Sequence, residues 1–176
     1  MTHQELSKAI FEVSHLTGTF TLRSGKVSNE YFDKYLFESR PALLAAIAEH
    51  LKALLPDNVQ VLAGLEMGGI PIATALSLAT GLPAAFVRKQ AKGYGTNKVS
   101  EGAEISGVPI VIVEDVITSG GQVVLSAKDL RDAGANILCC VCVIDREQGG
   151  REALAAAGIE MRALCTMTAL KAAGMS

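Results

Sequence analysis

The stretch from Pro109 to Gly134, PIVIVEDVITSGGQVVLSAKDLRDAG, constrains the fold more than any other part of this chain. Ile110 to Val113 form an unbroken apolar run, the pattern of a parallel strand buried on both faces. Two adjacent carboxylates, Glu114 and Asp115, end the run, and a short loop, Thr118-Ser119-Gly120-Gly121, follows. From Gln122 the period changes. Val123, Val124, Ala127, Leu130 and Ala133 share one helical face, and Gly134 is placed to close the helix as a left-handed cap. A hydroxyl- and glycine-rich loop at a helix N-terminus offers free backbone N–H groups and the positive end of the helix dipole, which suits a phosphate. The two acids ahead of it would repel a phosphate, so they are placed for hydroxyl groups, or for a metal, on the same ligand. A sugar phosphate satisfies both requirements.

A second corner of the same kind lies upstream. Val59 to Ala63 reads as a strand, Gly64-Leu65-Glu66-Met67-Gly68-Gly69 as a glycine loop, and a helix starts near Pro71 and runs to the Gly81-Leu82-Pro83 break. Pro83 to Val87 is a third strand ending in Arg88 and Lys89. Ile137 to Ile144 is another, ending in Asp145-Arg146-Glu147. A short helix over Gly149 to Ala157, a last strand over Glu160 to Leu164 and a terminal helix over Thr168 to Ala173 complete the chain. The alternation of strands and helices predicts an α/β fold, a parallel sheet with helices on both faces. Ligands of such sheets bind at the carboxyl ends of the strands, where Met67/Gly68, Arg88/Lys89, Glu114/Asp115 and Arg146 fall.

Upstream of the sheet, Thr2 and Glu5 have the form of a capping box, and Leu6, Ile10 and Val13 supply a helical face that should end near Gly18. Phe20 and Leu22 suggest a strand turning at Ser24-Gly25. The segment Thr19 to Glu38 then forms a hood that can present Arg23, Lys26, Tyr31 and Phe32 to a flat anionic ligand. Ser39 is expected to cap the next helix, with Pro41 in its first turn and Leu43, Leu44, Ile47, Leu51, Leu54 and Leu55 facing inward. Gln90 to Gly107 has little periodicity and carries Lys92-Gly93-Tyr94-Gly95. With Arg88 and Lys89 just before it, this segment is expected to be a lid for an anion. Nothing indicates an internal repeat or a second unit, so residues 1–176 are expected to form one domain, a hood over about 1–38 and a core over about 39–176.

With 176 residues and a net charge of −2, the chain has no basic excess for nucleic acid, and any anion must be held by local positive charge. No apolar run approaches the roughly 20 residues of a membrane span. The N-terminus is amphipathic and acidic enough to argue against a signal peptide, so a cytoplasmic location is expected. Cys139, Cys140, Cys142 and Cys165 lack metal-ligand spacing and should be buried thiols. His3, His15 and His50 are read as surface or packing residues away from the site. Walker A, G-x-G-x-x-G, G-x-S-x-G and H-E-x-x-H motifs are all missing from the sequence.

The segment Val111 to Gly121, VIVEDVITSGG, resembles the phosphoribosyl-pyrophosphate signature of the type I phosphoribosyltransferases: apolar residues, two acids and a Thr/Ser/Gly loop. Three further segments resemble the orotate phosphoribosyltransferases among them, namely FTLRSGKVSNEYFDKY near the N-terminus, VRKQAKGYG in the lid and DREQGG after the fifth strand. GLEMGGIPIATALS resembles the pyrophosphate-loop corner of the same enzymes. The segments follow in the expected order over most of Phe20 to Gly150. The chain departs from the commoner pattern at Gly68, where many members carry a lysine, and at Tyr94, where many carry a histidine; both are read as subfamily differences.

The resemblance implies the type I phosphoribosyltransferase fold with a small N-terminal hood. It also implies transfer of a phosphoribosyl group from phosphoribosyl pyrophosphate to orotate, with Mg²⁺ held mainly by the substrate and without direct protein ligands. Glu114 and Asp115 would take the ribose hydroxyls and act with Lys92 as the catalytic set. Thr118, Ser119, Gly120 and Gly121 would hold the 5′-phosphate, flanked by Val116, Ile117 and Gln122. Arg88, Lys89 and Lys92 would neutralise the leaving pyrophosphate. Arg146, Arg23, Tyr31, Phe32 and Thr118 would face orotate, whose carboxylate matches a guanidinium fork. A homodimer that shares the lid across subunits is implied as well. Transfer to another base, or a regulatory module that senses phosphoribosyl pyrophosphate without turnover, are the alternatives. The arginine of DREQGG and the FTLRSG segment favour an anionic pyrimidine. The cations Arg88, Lys89 and Lys92 favour catalysis, because a sensor has no leaving group to stabilise. Replacing Lys92 by alanine should lower kcat strongly without unfolding the protein. A steady-state change below about threefold, under ~1 kcal/mol of barrier, would refute the lid assignment.

Overall fold

The computed structural model of the chain describes residues 1–22, 25–89 and 98–175. Two strands near the N-terminus, β1 (His15–Thr21) and β2 (Val27–Phe32), pair antiparallel as the hood hairpin. The remaining strands form one sheet. β3 (Val61–Leu65), β4 (Ala84–Val87), β6 (Pro109–Ile117), β7 (Asn136–Asp145) and β8 (Met161–Thr166) are parallel, and β5 (Ser100–Gly102) adds an antiparallel edge on β4. The spatial order is β5-β4-β3-β6-β7-β8, so the acid-bearing β6 lies in the interior between β3 and β7. The predicted α/β parallel sheet is thus the one observed.

Alternation along the strands divides the core into two layers. Val111, Val113, Val141 and Val143 face α1 (His3–Ser14), α2 (Lys34–Glu38), α3 (Pro41–Leu51), α4 (Gly69–Thr80) and α7 (Met167–Gly174), through Leu6, Ile10, Phe37, Ile47, Ile72, Leu76 and Leu170. Ile110, Ile112, Cys140 and Cys142 face α5 (Gly121–Asp132) and α6 (Gly150–Ala156), through Val123, Ala127, Leu130 and Leu154. All four cysteines are buried free thiols, and burial pushes each of them above its usual range. No described helix is long and apolar enough to cross a membrane.

Several local expectations change. The capping box at Thr2 and Glu5 forms, but α1 stops at Ser14 instead of near Gly18, because His15 pairs with Phe32 across the hairpin. Ser39 does not cap α3. It ends α2, a five-residue helix capped at its start by Asp33, whose carboxylate accepts from the Tyr35 N–H. The residue ahead of Pro41 in α3 is Arg40, which makes no side-chain cap. Leu54 and Leu55 are only half-buried, at a single 3₁₀ turn over Lys52–Leu54. Strand β6 continues through Glu114 and Asp115 to Ile117, since its ladder with β7 persists to the Ile117–Asp145 pair. Gly134 takes the left-handed conformation after α5, with φ of 90°.

Phe37 anchors α2. It is fully buried in the layer that also holds Leu6 and Ile47. Phe37→Ala should cost about 3–5 kcal/mol in urea unfolding, and a loss under about 1 kcal/mol would show that α2 is not held by the core.

Candidate functional site

Strand β6 delivers Glu114 and Asp115 to the carboxyl end of the sheet. Asp115 is completely buried. Its Oδ1 accepts the Val116 N–H at 2.5 Å, and its Oδ2 lies 2.6 Å from Nζ of Lys34. Glu38 stands one helical turn after Lys34 on α2, so both side chains share a face and meet the same corner. Glu38 is also buried, and among the described residues its Oε1 has no hydrogen-bond partner and neither has Oε2 of Glu114. The turn from β3 into α4 passes against these acids as bare backbone. A Cβ on Gly68 would overlap the Asp115 carboxylate and come within 3.1 Å of Glu38 Oε1, and one on Gly69 would meet Glu114 Oε2 at 2.8 Å. Glycine is required here by close approach rather than by backbone angle.

Three carboxylates in one buried corner cannot all be charged cheaply. Burial, reinforced by Asp115, pushes Glu38 up to about 9 and Glu114 up to about 8, while the Lys34 charge opposes both shifts. Burial disfavours the Lys34 ammonium, yet its hydrogen bond to Asp115 and that group's charge outweigh the penalty and raise its pKa. Lys89 is exposed, its N–H is held by Glu66 Oε2 at 3.0 Å, and its charge acts on Glu114. Arg88 turns to the sheet edge, where its Nη2 is 3.5 Å from Glu101 Oε1.

Beyond the acids the chain makes the loop into α5. Ile117 is buried, Thr118 and Ser119 are exposed, and Gly120 adopts φ of 76°. A Cβ on Gly120 would run into Leu154, so glycine is needed there for space as well as conformation. Glu114, Val116, Ile117, Thr118, Ser119, Gly120, Gly121 and Gln122 line one cavity of about 270 Å³. The N-terminal amides of α5, which have no partner within the helix, belong to this wall.

A second cavity, of about 350 Å³, lies between the hairpin and the end of β7. Tyr31, Phe32 and Arg146 line it together, along with Phe11, His15 and Lys171. The Arg146 N–H donates to the Ile117 carbonyl at 2.9 Å, which fixes this cavity beside the glycine loop. Asp145 pairs with Arg151 rather than with its neighbour Arg146, whose buried Nε has no hydrogen-bond partner among the described residues. His15 corrects the expectation that the histidines lie away from the site: its ring stacks on Phe11 and reaches Glu30 Oε2 at 2.8 Å, while Lys171 reaches the other oxygen at 3.1 Å. Arg23, Lys92 and Tyr94 lie outside the described residues.

Sequence reasoning missed Lys34, Glu38 and His15. The one local signal for the first two was their spacing of four within DKYLFE after a capping aspartate, and a five-residue helix is too short to reveal a period.

A Phosphoribosyl transferase domain model matches residues 37–157. The orotate phosphoribosyltransferase of Nocardioides sp. is 50% identical over 168 residues, covering 96% of this chain and 94% of that protein. The chain belongs to the orotate phosphoribosyltransferase family. Among solved structures of the family, the Mycobacterium tuberculosis H37Rv enzyme in complex with Fe(III) dicitrate superposes with a TM-score of 0.88 at 30% identity, covering 96% of this chain and 98% of that one. The same enzyme in complex with 5-phospho-alpha-D-ribosyl 1-diphosphate gives a TM-score of 0.83 at 28% identity, with the same coverage.

The acid corner makes stability depend on pH. Glu38 and Glu114 bind protons more tightly folded than unfolded, so their contribution is fully present below the ordinary 4.5 and is lost as pH rises through about 8 and about 9. Melting temperature of the ligand-free protein should fall between about pH 6 and about pH 9, and Glu38→Gln should flatten the fall. An unchanged slope in Glu38→Gln would show that the corner is freely hydrated.

Proposed function

We propose that the chain transfers the 5-phosphoribosyl group from phosphoribosyl pyrophosphate to orotate, giving orotidine 5′-phosphate and pyrophosphate. The observation that supports this most is the pairing of the two cavities at the ends of β6 and β7. One is walled by backbone amides and hydroxyls, the other by aromatic rings and a guanidinium whose buried Nε is unsatisfied among the described residues. An unpaired buried donor is costly, and a planar carboxylate is the ligand that satisfies it best.

In this reading Thr118, Ser119, Gly120 and Gly121 bind the 5′-phosphate, and Val116, Ile117 and Gln122 complete the wall. Glu114 and Asp115 accept hydrogen bonds from the ribose 2′- and 3′-hydroxyls. Arg146 takes the orotate carboxylate, assisted by Arg23, with Thr118 at the edge of the base and Tyr31 and Phe32 against its faces. Displacement at the anomeric carbon builds positive charge on the ribose and negative charge on the departing pyrophosphate. Lys89, Lys92 and Arg88 stabilise that departure, Arg88 after leaving Glu101, and closure of the lid excludes water. Orotate is already an anion, so no strong base is required, and His15 is left to its pairing with Glu30.

Mg²⁺ on the substrate supplies further charge neutralisation at the diphosphate. The described residues include no group of three ligands that could hold a metal alone. The acids at the end of β6 offer oxygen acceptors beside the ribose, and that donor set fits a cation carried mainly by substrate oxygens. A cytoplasmic homodimer with the lid shared between subunits completes the proposal, on the resemblance alone.

Purified protein should release pyrophosphate from phosphoribosyl pyrophosphate and Mg²⁺ with orotate, but not with uracil, adenine or hypoxanthine. Turnover only with another base would defeat the reading. Arg146→Ala should raise KM for orotate at least about tenfold, the loss of a charge-assisted pair, while KM for phosphoribosyl pyrophosphate stays within about threefold.

A further inference from the structure

The corner of Glu38, Glu114 and Asp115 must receive a polyanion if the proposed function holds, yet it is acidic. Its only contacting cation among the described residues is Lys34, which comes from the hood and not from the sheet. The turn that passes nearest cannot supply one, since any side chain at Gly68 would have to displace the Asp115 carboxylate. Lys34 and the bare backbone of Gly68 are therefore complementary: the glycine leaves the space in which the lysine reaches its partner.

Burial adds a second constraint. Asp115 has no exposed surface, and Lys34 occupies its Oδ2. Because the carboxylate has no exposed surface, a ribose hydroxyl approaching that oxygen has to move the ammonium aside. The exchange leaves the carboxylate matched, because an O–H donor takes the place of the ion pair on the same oxygen. The released side chain is not trapped. It keeps 32% of its surface exposed and has the Tyr35 ring 5.2 Å from Nζ as a second resting place. An ammonium freed beside a bound diphosphate moves onto it, since that replaces the anionic partner it has lost.

We infer that Lys34 is a further phosphoribosyl-pyrophosphate-binding residue, which covers Asp115 in the free protein and transfers to the diphosphate when the ribose takes Asp115. The inference rests on the proposed substrate but not on the identity of the base.

The test compares Lys34→Met and Lys34→Arg with wild type by calorimetric titration of phosphoribosyl pyrophosphate and of ribose 5-phosphate, both with Mg²⁺, alongside orotate turnover. Lys34→Met should weaken phosphoribosyl pyrophosphate at least about tenfold and leave ribose 5-phosphate, which has no diphosphate, as tight as wild type or tighter. Lys34→Arg should restore binding to within about threefold, which shows that the site is folded. Equal weakening of both ligands would make Lys34 merely structural and overturn the inference, as would unchanged binding of phosphoribosyl pyrophosphate. If the ligand split appears without orotate turnover in wild type, the inference stands and the proposed reaction fails. Turnover without the split reverses that outcome.

Discussion

A carboxylate with no solvent contact has to be matched by a charge brought to it, and Asp115 is matched by Lys34 at 2.6 Å. Much of the architecture around the site follows from that need. The lysine sits on α2, which is docked by Phe37, which in turn requires α1 and α3 to be in place. The turn into α4 must be glycine so that the pair has room. The hood is thus fastened to the sheet by charge as well as by apolar packing, at the corner where the ligand is proposed to bind.

The ladder between β6 and β7 sets the second relationship. It runs to Ile117 and Asp145, and the next N–H, that of Arg146, still donates to the Ile117 carbonyl. The phosphate-type loop and the guanidinium therefore start from adjacent points of one rigid framework. Sites built on such elements hold their geometry better than sites built on two loops. The hairpin brings Tyr31 and Phe32 to the same cavity from a separate sheet, and the Lys171–Glu30 contact ties it to α7.

What was legible in the sequence was whatever a short window can encode. The buried run from Ile110 to Val113, the glycine loop after it, the Thr2–Glu5 box and the left-handed Gly134 each declare themselves within a few residues. The acid pair and Arg146 could be placed at strand ends because strand ends were recognisable. Lys34 and Glu38 could not, because their meaning comes from Asp115, which is distant in sequence and near only after folding. Ser39 misled for a related reason: it precedes a proline-led helix as a cap would, but a short helix not recognised before it had already taken Ser39 as its end. His15 escaped because strand pairing with Phe32 overrode the helical pattern that would have carried it outward.

The contact between Lys171 and Glu30 joins residues 141 apart, and α7 packs against α1 so closely that a Cβ on Gly174 would enter the Phe11 ring. The cavity holding Arg146 accordingly draws on Phe11 and His15 at one end of the chain and on Met167 and Lys171 at the other. A chain emerging from the ribosome can form the β3–β6 corner and its glycine turns well before it can form this cavity, which waits for α7. The loop beside β6 can thus take shape before the cavity that holds Arg146.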